Sequence, residues 1–147
     1  MANLVFDYMD EEFLISEESG SISREAVPLV YGYIYDVGML VAKVADAASP
    51  DFGKYMPLDH SAAQDPDYTP ILGTDTAAGI IARHLHTADG RAGQSGPNSI
   101  GVIVARDAEV DGSMLWSTIF NGISPDITKV RADLAALGIV VRGELNL

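Results

Sequence analysis

At 147 residues the chain has the size of a single domain, able to bury roughly 70% of its unfolded surface in one core. Its apolar residues, 48% of the total, come in short runs broken by Gly, Pro, Asp and Ser, and none approaches the roughly 20 residues of a membrane helix. The absence of cysteine removes disulfides, thiolate nucleophiles and Cys-zinc sites, and a net charge of −12 repels phosphate backbones and anionic lipid, so neither nucleic acid nor membrane is expected as a partner.

The first residues turn acidic instead of opening with the positive charge of a secretory signal, so the protein is expected to stay in the cytoplasm of the cell that makes it. Residues 1–25 hold seven acids against one base, half of the net charge. Phe6, Tyr8, Phe13, Leu14 and Ile15 are scattered among those charges. So little apolar surface does not offset the entropy of ordering, and residues 1–25 read as a flexible N-terminal arm, with an edge strand over Phe13 to Ile15 as the alternative. Such an arm orders on a partner.

Residues 26–147 form the expected β domain. Ala26 to Val30, Gly38 to Ala45, Tyr55 to Leu58, Ala78 to Leu85 and Ile100 to Arg106 are β-branched runs of four to eight residues between turn signals. In the second, Leu40, Ala42 and Val44 alternate with Met39, Val41 and Lys43. From Thr74 to Leu85 a helix capped at Asp75-Thr76-Ala77-Ala78 competes with the strand. Asp89 to Asn98 reads as a long glycine-rich loop. Asp111-Gly112 suits a type I′ hairpin turn. Trp116 and Phe120 read as core packing against the helix that follows, with binding anchors as the alternative.

That helix is predicted from Ser124 as N-cap and Pro125 as first helical residue to Gly138 at C′. Ile127, Val130, Leu134 and Leu137 lie on one face of it, and Ile139 to Arg142 should return to the sheet. The fold class is therefore mainly β with one amphipathic helix near the C-terminus.

Chemistry has little support. His84 and His86 would share one face of a strand, with His60 or a carboxylate as third ligand, but no metal-binding spacing accompanies them, so no metal or cofactor is expected. No G-x-S-x-G elbow, G-x-G-x-x-G or phosphate loop occurs. No catalytic residue is assigned.

Val104-Ala105-Arg106-Asp107-Ala108-Glu109-Val110, a short turn, Leu115-Trp116, the helix and Leu137-Gly138-Ile139-Val140-Val141-Arg142 follow one another in an order that resembles the lambda-type phage head decoration proteins. Looser likeness runs through Gly38-Met39-Leu40, Gly53 to Asp59 and Ala77 to Ala82, and Phe13 to Glu25 resembles the longer arms of some members. The resemblance implies a β-clip or β-tulip-like subunit, a homotrimer on the outer surface of the virion's expanded capsid, with the major capsid protein as partner. Phe13, Leu14, Ile15 and Ser16 are then the expected capsid-binding residues of the arm, and removal of residues 1–20 should leave a folded trimer that no longer binds shells. Another phage structural role, in the tail or baseplate or as a display module, or a hydrolase using His84 and His86, are the alternatives.

Overall fold

The computed structural model describes residues 13–18, 20–61, 72–83, 99–120 and 122–147. In chain order the elements are β1 (Leu14–Glu17), α1 (Gly20–Ser23), β2 (Arg24–Pro28), β3 (Leu40–Lys43), β4 (Tyr55–Pro57) and β5 (Ala77–Ile81). β6 (Ile100–Val104), β7 (Ala108–Asp111), a 3-10 turn (Gly112–Met114), α2 (Ile127–Ala136) and β8 (Ile139–Arg142) complete the set. The strands form a three-stranded sheet in the order β1-β7-β8 and a five-stranded sheet in the order β2-β6-β5-β3-β4. Pairing is antiparallel except between β7 and β8. A parallel pair needs a crossover, and α2 supplies it.

The alternation predicted for β3 sorts its side chains between two cores, because β3 lies inside the larger sheet between β5 and β4. Leu40 and Ala42 join Val130 and Leu134 of α2, Val104, Val110 and Ile139 in one cluster. Met39 and Val41 join Val27, Tyr35, Tyr55 and Ile103 in another. Leu40, Val41 and Ala42 of β3 and Met39 just before it are fully buried, while Lys43 is exposed, and each fully buried side chain of Leu or Val size contributes about 1.5–3 kcal/mol of gross transfer free energy.

The ambiguity resolves as a strand from Ala77 to Ile81, preceded by a turn at Thr74 and Asp75. Asp133 of α2 accepts from the Ala77 amide at 3.0 Å, and Lys129 donates to the same carboxylate oxygen at 3.0 Å and to the Asp75 carbonyl at 2.7 Å. Within β5, Gly79 permits the close approach of β6, since a Cβ there would lie 2.8 Å from Ile103 Cδ1. His84 to Asn98, including the predicted glycine-rich loop, lie outside the described residues.

Three local expectations are corrected. The cap of α2 is Asp126, not Ser124: its Oδ1 accepts from the amides of Thr128 and Lys129 at 2.9 and 3.2 Å. The buried face of the helix narrows to Val130 and Leu134, while Ile127 is exposed and Leu137 half-buried. At the other end Gly138 takes the expected left-handed conformation, φ +75°.

Asp111-Gly112 makes no hairpin. Asp111 is extended (φ −82°, ψ 110°), and its carboxylate accepts from the Ser113 amide at 3.0 Å and hydroxyl at 2.7 Å, capping the 3-10 turn. Both edges of β7 are already taken, by β1 and β8, so the chain crosses to the other sheet, where Trp116 bridges Met39.

Candidate functional site

The acidic segment expected to be a free arm is, from Phe13 to Glu25, built into the fold. β1 runs antiparallel to β7 with Leu14 opposite Val110 and Glu17 opposite Ala108, and a bulge falls between Leu14 and Ser16. The Asp111 amide donates to the Phe13 carbonyl at 2.7 Å and the Glu18 amide to the Asp107 carbonyl at 3.2 Å. Buried Ser23 donates to the Asp107 carbonyl at 2.8 Å, Arg24 forks onto Glu17 at 2.8–3.1 Å, and Arg106 pairs with Glu25 at 2.6 Å. Residues 1–12 lie outside the described residues.

The correction has a physical reason. Local apolar content understates a strand whose stability comes from a distant partner: β7 supplies the hydrogen-bond ladder and the core cluster supplies a pocket for one large side chain. Phe13 fills that pocket at 1% exposure. It is therefore not available as an apolar anchor for another protein.

The four residues expected to bind thus divide. Phe13 is core, Leu14 is half-buried against the core, and Ile15, beside the bulge, and Ser16 face outward, Ile15 at 52% exposure. β1 and β8 are the two edges of their sheet. At β8, Arg131 of α2 donates to the carbonyls of Val141 and Gly143 at 3.4 and 2.6 Å, covering acceptors that an added strand would need. β1, which carries the exposed Ile15, is the other edge of this sheet, and β2 and β4 are the edges of the larger one.

Of the histidines, only His60 is described. It is buried, its Nδ1 accepts from the Asp126 amide at 2.9 Å and its Nε2 has no hydrogen-bond partner, so it serves the α2 N-terminus as an acceptor. His84 and His86 lie outside the described residues, and among those described no group of three His, Asp or Glu is placed to hold a metal ion. Trp116 is half-buried against the second core cluster, not against α2, and donates to the Val37 carbonyl at 2.9 Å. Phe120 meets Tyr33 edge-on at 6.1 Å. A cleft of about 560 Å³ is lined in part by Glu25, Lys43, Tyr55 and Arg106. Its cations are engaged, Arg106 with Glu25 and Lys43 over the Tyr55 ring at 5.8 Å.

Among the described residues the geometry offers strand edges and surface, with no assembled group of three metal-ligating side chains. The family model of the bacteriophage lambda head decoration protein D matches residues 4–139. The chain belongs to that family. Searches of the curated proteins and of the solved structures gave no match. As a head decoration protein the chain is a structural component of the virion capsid, and its functional site is a protein-binding surface. The match spans β1 through α2 and ends on Ile139 of β8.

What sequence reading missed is the inward role of Phe13. A signal was present: Phe13 lies next to a strand-compatible Leu-Ile-Ser-Glu run. Charge density on either side of that run outweighed it.

Proposed function

We propose that this decoration protein binds the outer surface of the expanded shell as a homotrimer, contacts the major capsid protein through β1, and reinforces the shell against the pressure of packed DNA. The observation that carries the contact is the asymmetry of the smaller sheet. Arg131 occupies the acceptors of the β8 edge, whereas β1 keeps its outer edge with Ile15 and Ser16 exposed beside it. A strand of the shell added there would gain main-chain hydrogen bonds from the edge and side-chain contact from Ile15. Phe13 acts from within, holding β1 against β7. In this reading the segment 1–25 is not a free arm throughout: residues 1–12 lead into a contact strand that belongs to residues 26–147 by packing.

A protein that binds the expanded state and not its precursor stabilises expansion by mass action. Three linked contacts raise the effective concentration of each. The chain is made in the host cytoplasm, and its work requires no catalytic residue, cofactor, nucleic acid or membrane.

The test is co-sedimentation of purified protein with expanded and unexpanded empty shells, for wild type and Ile15→Asp. Wild type should pellet with expanded shells alone. Ile15→Asp, changed at an exposed position, should keep its thermal stability and oligomeric mass and lose about tenfold or more in shell affinity. Undiminished binding by the variant would remove β1 as the contact while leaving decoration intact; wild-type binding to neither shell would remove the mode of action.

A further inference from the structure

The two sheets have their edges at β1, β8, β2 and β4, and a strand edge presents unpaired amides and carbonyls to any other strand that meets it. The chain's own residues blunt β4, β2 and β8. β4 is three residues long and ends on Pro57. Leu29 bridges to its Tyr55, and the Val30 amide donates to the Tyr55 carbonyl at 2.9 Å. β2 carries Arg24, Glu25 and, at its end, Pro28, which has no amide hydrogen to give.

β8 is blunted from a distance, by one side chain of α2. Arg131 lies beside a groove of about 310 Å³ lined also by Ala135, Ile139 and Val141, and its two terminal nitrogens donate to the carbonyls of Val141 and Gly143 at 3.4 and 2.6 Å. The side of β8 it covers follows from alternation. Asp111 turns its amide to β1, so Val110 turns its own to β8; Val141, opposite Val110 in a parallel pair, then points its backbone groups away from β7. Arg131 thus sits on the outer edge, and its rigid fork reaches two acceptors there at once.

The strand that this edge would otherwise take is supplied by the chain itself. β1 runs antiparallel to β7 and β8 parallel to it, so β1 and β8 run in opposite directions. A second copy displaced sideways, without being turned over, lays its β1 antiparallel against β8, the more stable sense of pairing. Each of these edges also carries an exposed apolar side chain, Ile15 on one and Val140 on the other. Such a displacement repeats without closing, and it builds an open filament in place of a closed oligomer.

We infer that Arg131 guards this joint: by occupying the outer carbonyls of β8 it keeps β1 of another copy from adding there and leaves β1 to the shell. The role rests on the reading of β1 as a pairing edge. It makes Arg131 the residue that decides which of the two edges of the smaller sheet accepts a strand.

The experiment is the mass of the full chain by light scattering across protein concentration, at high salt so that repulsion between copies carrying −12 is screened. The proteins are wild type, Arg131→Met, which keeps a long apolar stem and loses the donors, Arg131→Ala, and Arg131→Met combined with Ile15→Asp. Wild type should reach one limiting mass. Arg131→Met and Arg131→Ala should climb without a plateau to severalfold that mass, with a growing infrared band of intermolecular β pairing, and the added Ile15→Asp should restore the wild-type mass. Thermal unfolding at low concentration shows that each variant folds. Folded Arg131 variants that keep the wild-type mass would overturn the guard and leave the shell contact of β1, read separately by co-sedimentation, standing. Growth that Ile15→Asp does not reverse would overturn β1 as the strand that adds, and a wild type that climbs in the same way would overturn the guard. Loss of the fold in both single variants would overturn it too, since the fork would then be part of what holds α2 to β8.

Discussion

Replacing Phe13 with Ala separates the part of the N-terminal segment that folds the protein from the part offered to a partner. The side chain is 1% exposed and packs in the cluster that contains Val110, Leu115, Ile139 and Leu145. Truncating a buried Phe removes its transfer free energy and leaves a cavity, a cost of about 3–5 kcal/mol. For a chain of this length each kcal/mol moves the melting temperature by roughly 2–4 °C, so the variant should melt about 6–20 °C lower. Ile15→Ala, at a site more than half exposed, should stay within about 0.5 kcal/mol of wild type. Urea denaturation, followed by tryptophan fluorescence from Trp116, gives both values, with a lowered midpoint and unchanged slope marking a loss of stability alone. Deletion of residues 1–20 removes both Phe13 and β1 and should unfold or severely destabilise the chain. A Phe13→Ala protein within about 1 kcal/mol of wild type would refute the argument and return the segment to the status of an arm.

Two further outcomes follow from the cores. Burial pushes the Tyr35 phenol upward, and burial followed by nearby carboxylates, Asp59 and Asp51 for Tyr33 and Glu25 for Tyr55, raises those two as well. A group whose folded pKa exceeds its unfolded value contributes stability that is present below the unfolded pKa of 10.0 and lost as pH rises through the folded one. Melting temperature should therefore fall steeply above about pH 10, and Tyr35→Phe, which gives up hydrogen bonds to the carbonyls of Val30 and Tyr55 at 2.8 and 3.2 Å, should be less stable at pH 7 and show a shallower alkaline fall. Gly138→Ala should cost more than about 1 kcal/mol in a thermal melt, because the residue has φ +75° and the added Cβ would lie 2.5 Å from Asp107 Oδ1.

Where neighbours in sequence decide the structure, the sequence was a sufficient guide. The alternation from Met39 to Val44 became a strand buried on both faces, and Gly138 ended α2 and turned the chain into β8. The misreadings arose where a distant element competes with a local signal. Ser124-Pro125 is an acceptable helix start, but Asp126 reaches two amides and so sets the cap two residues later. Asp111-Gly112 carries a hairpin signature that loses to β1 and β8 on either side of β7. Which of Phe13, Leu14, Ile15 and Ser16 faces inward depends on a bulge in the pairing with β7, a register no local pattern encodes.

The placement of β7 between β1 and β8 also has a consequence in time. Its partners come from far apart in the sequence, and the shared core takes Phe13 from one end and Leu145 from the other. On a ribosome adding roughly 5–20 residues per second, β1 and β7 can emerge and pair while α2, β8 and Leu145 are still to come. A nascent subunit therefore exposes the apolar inner face of its smaller sheet until the last strand docks. Large loops must close before that core is complete, which favours slow, late folding. Maturation of the subunit is then governed by completion of the chain, and an edge able to pair with another strand acquires its final form only after translation has passed beyond β8.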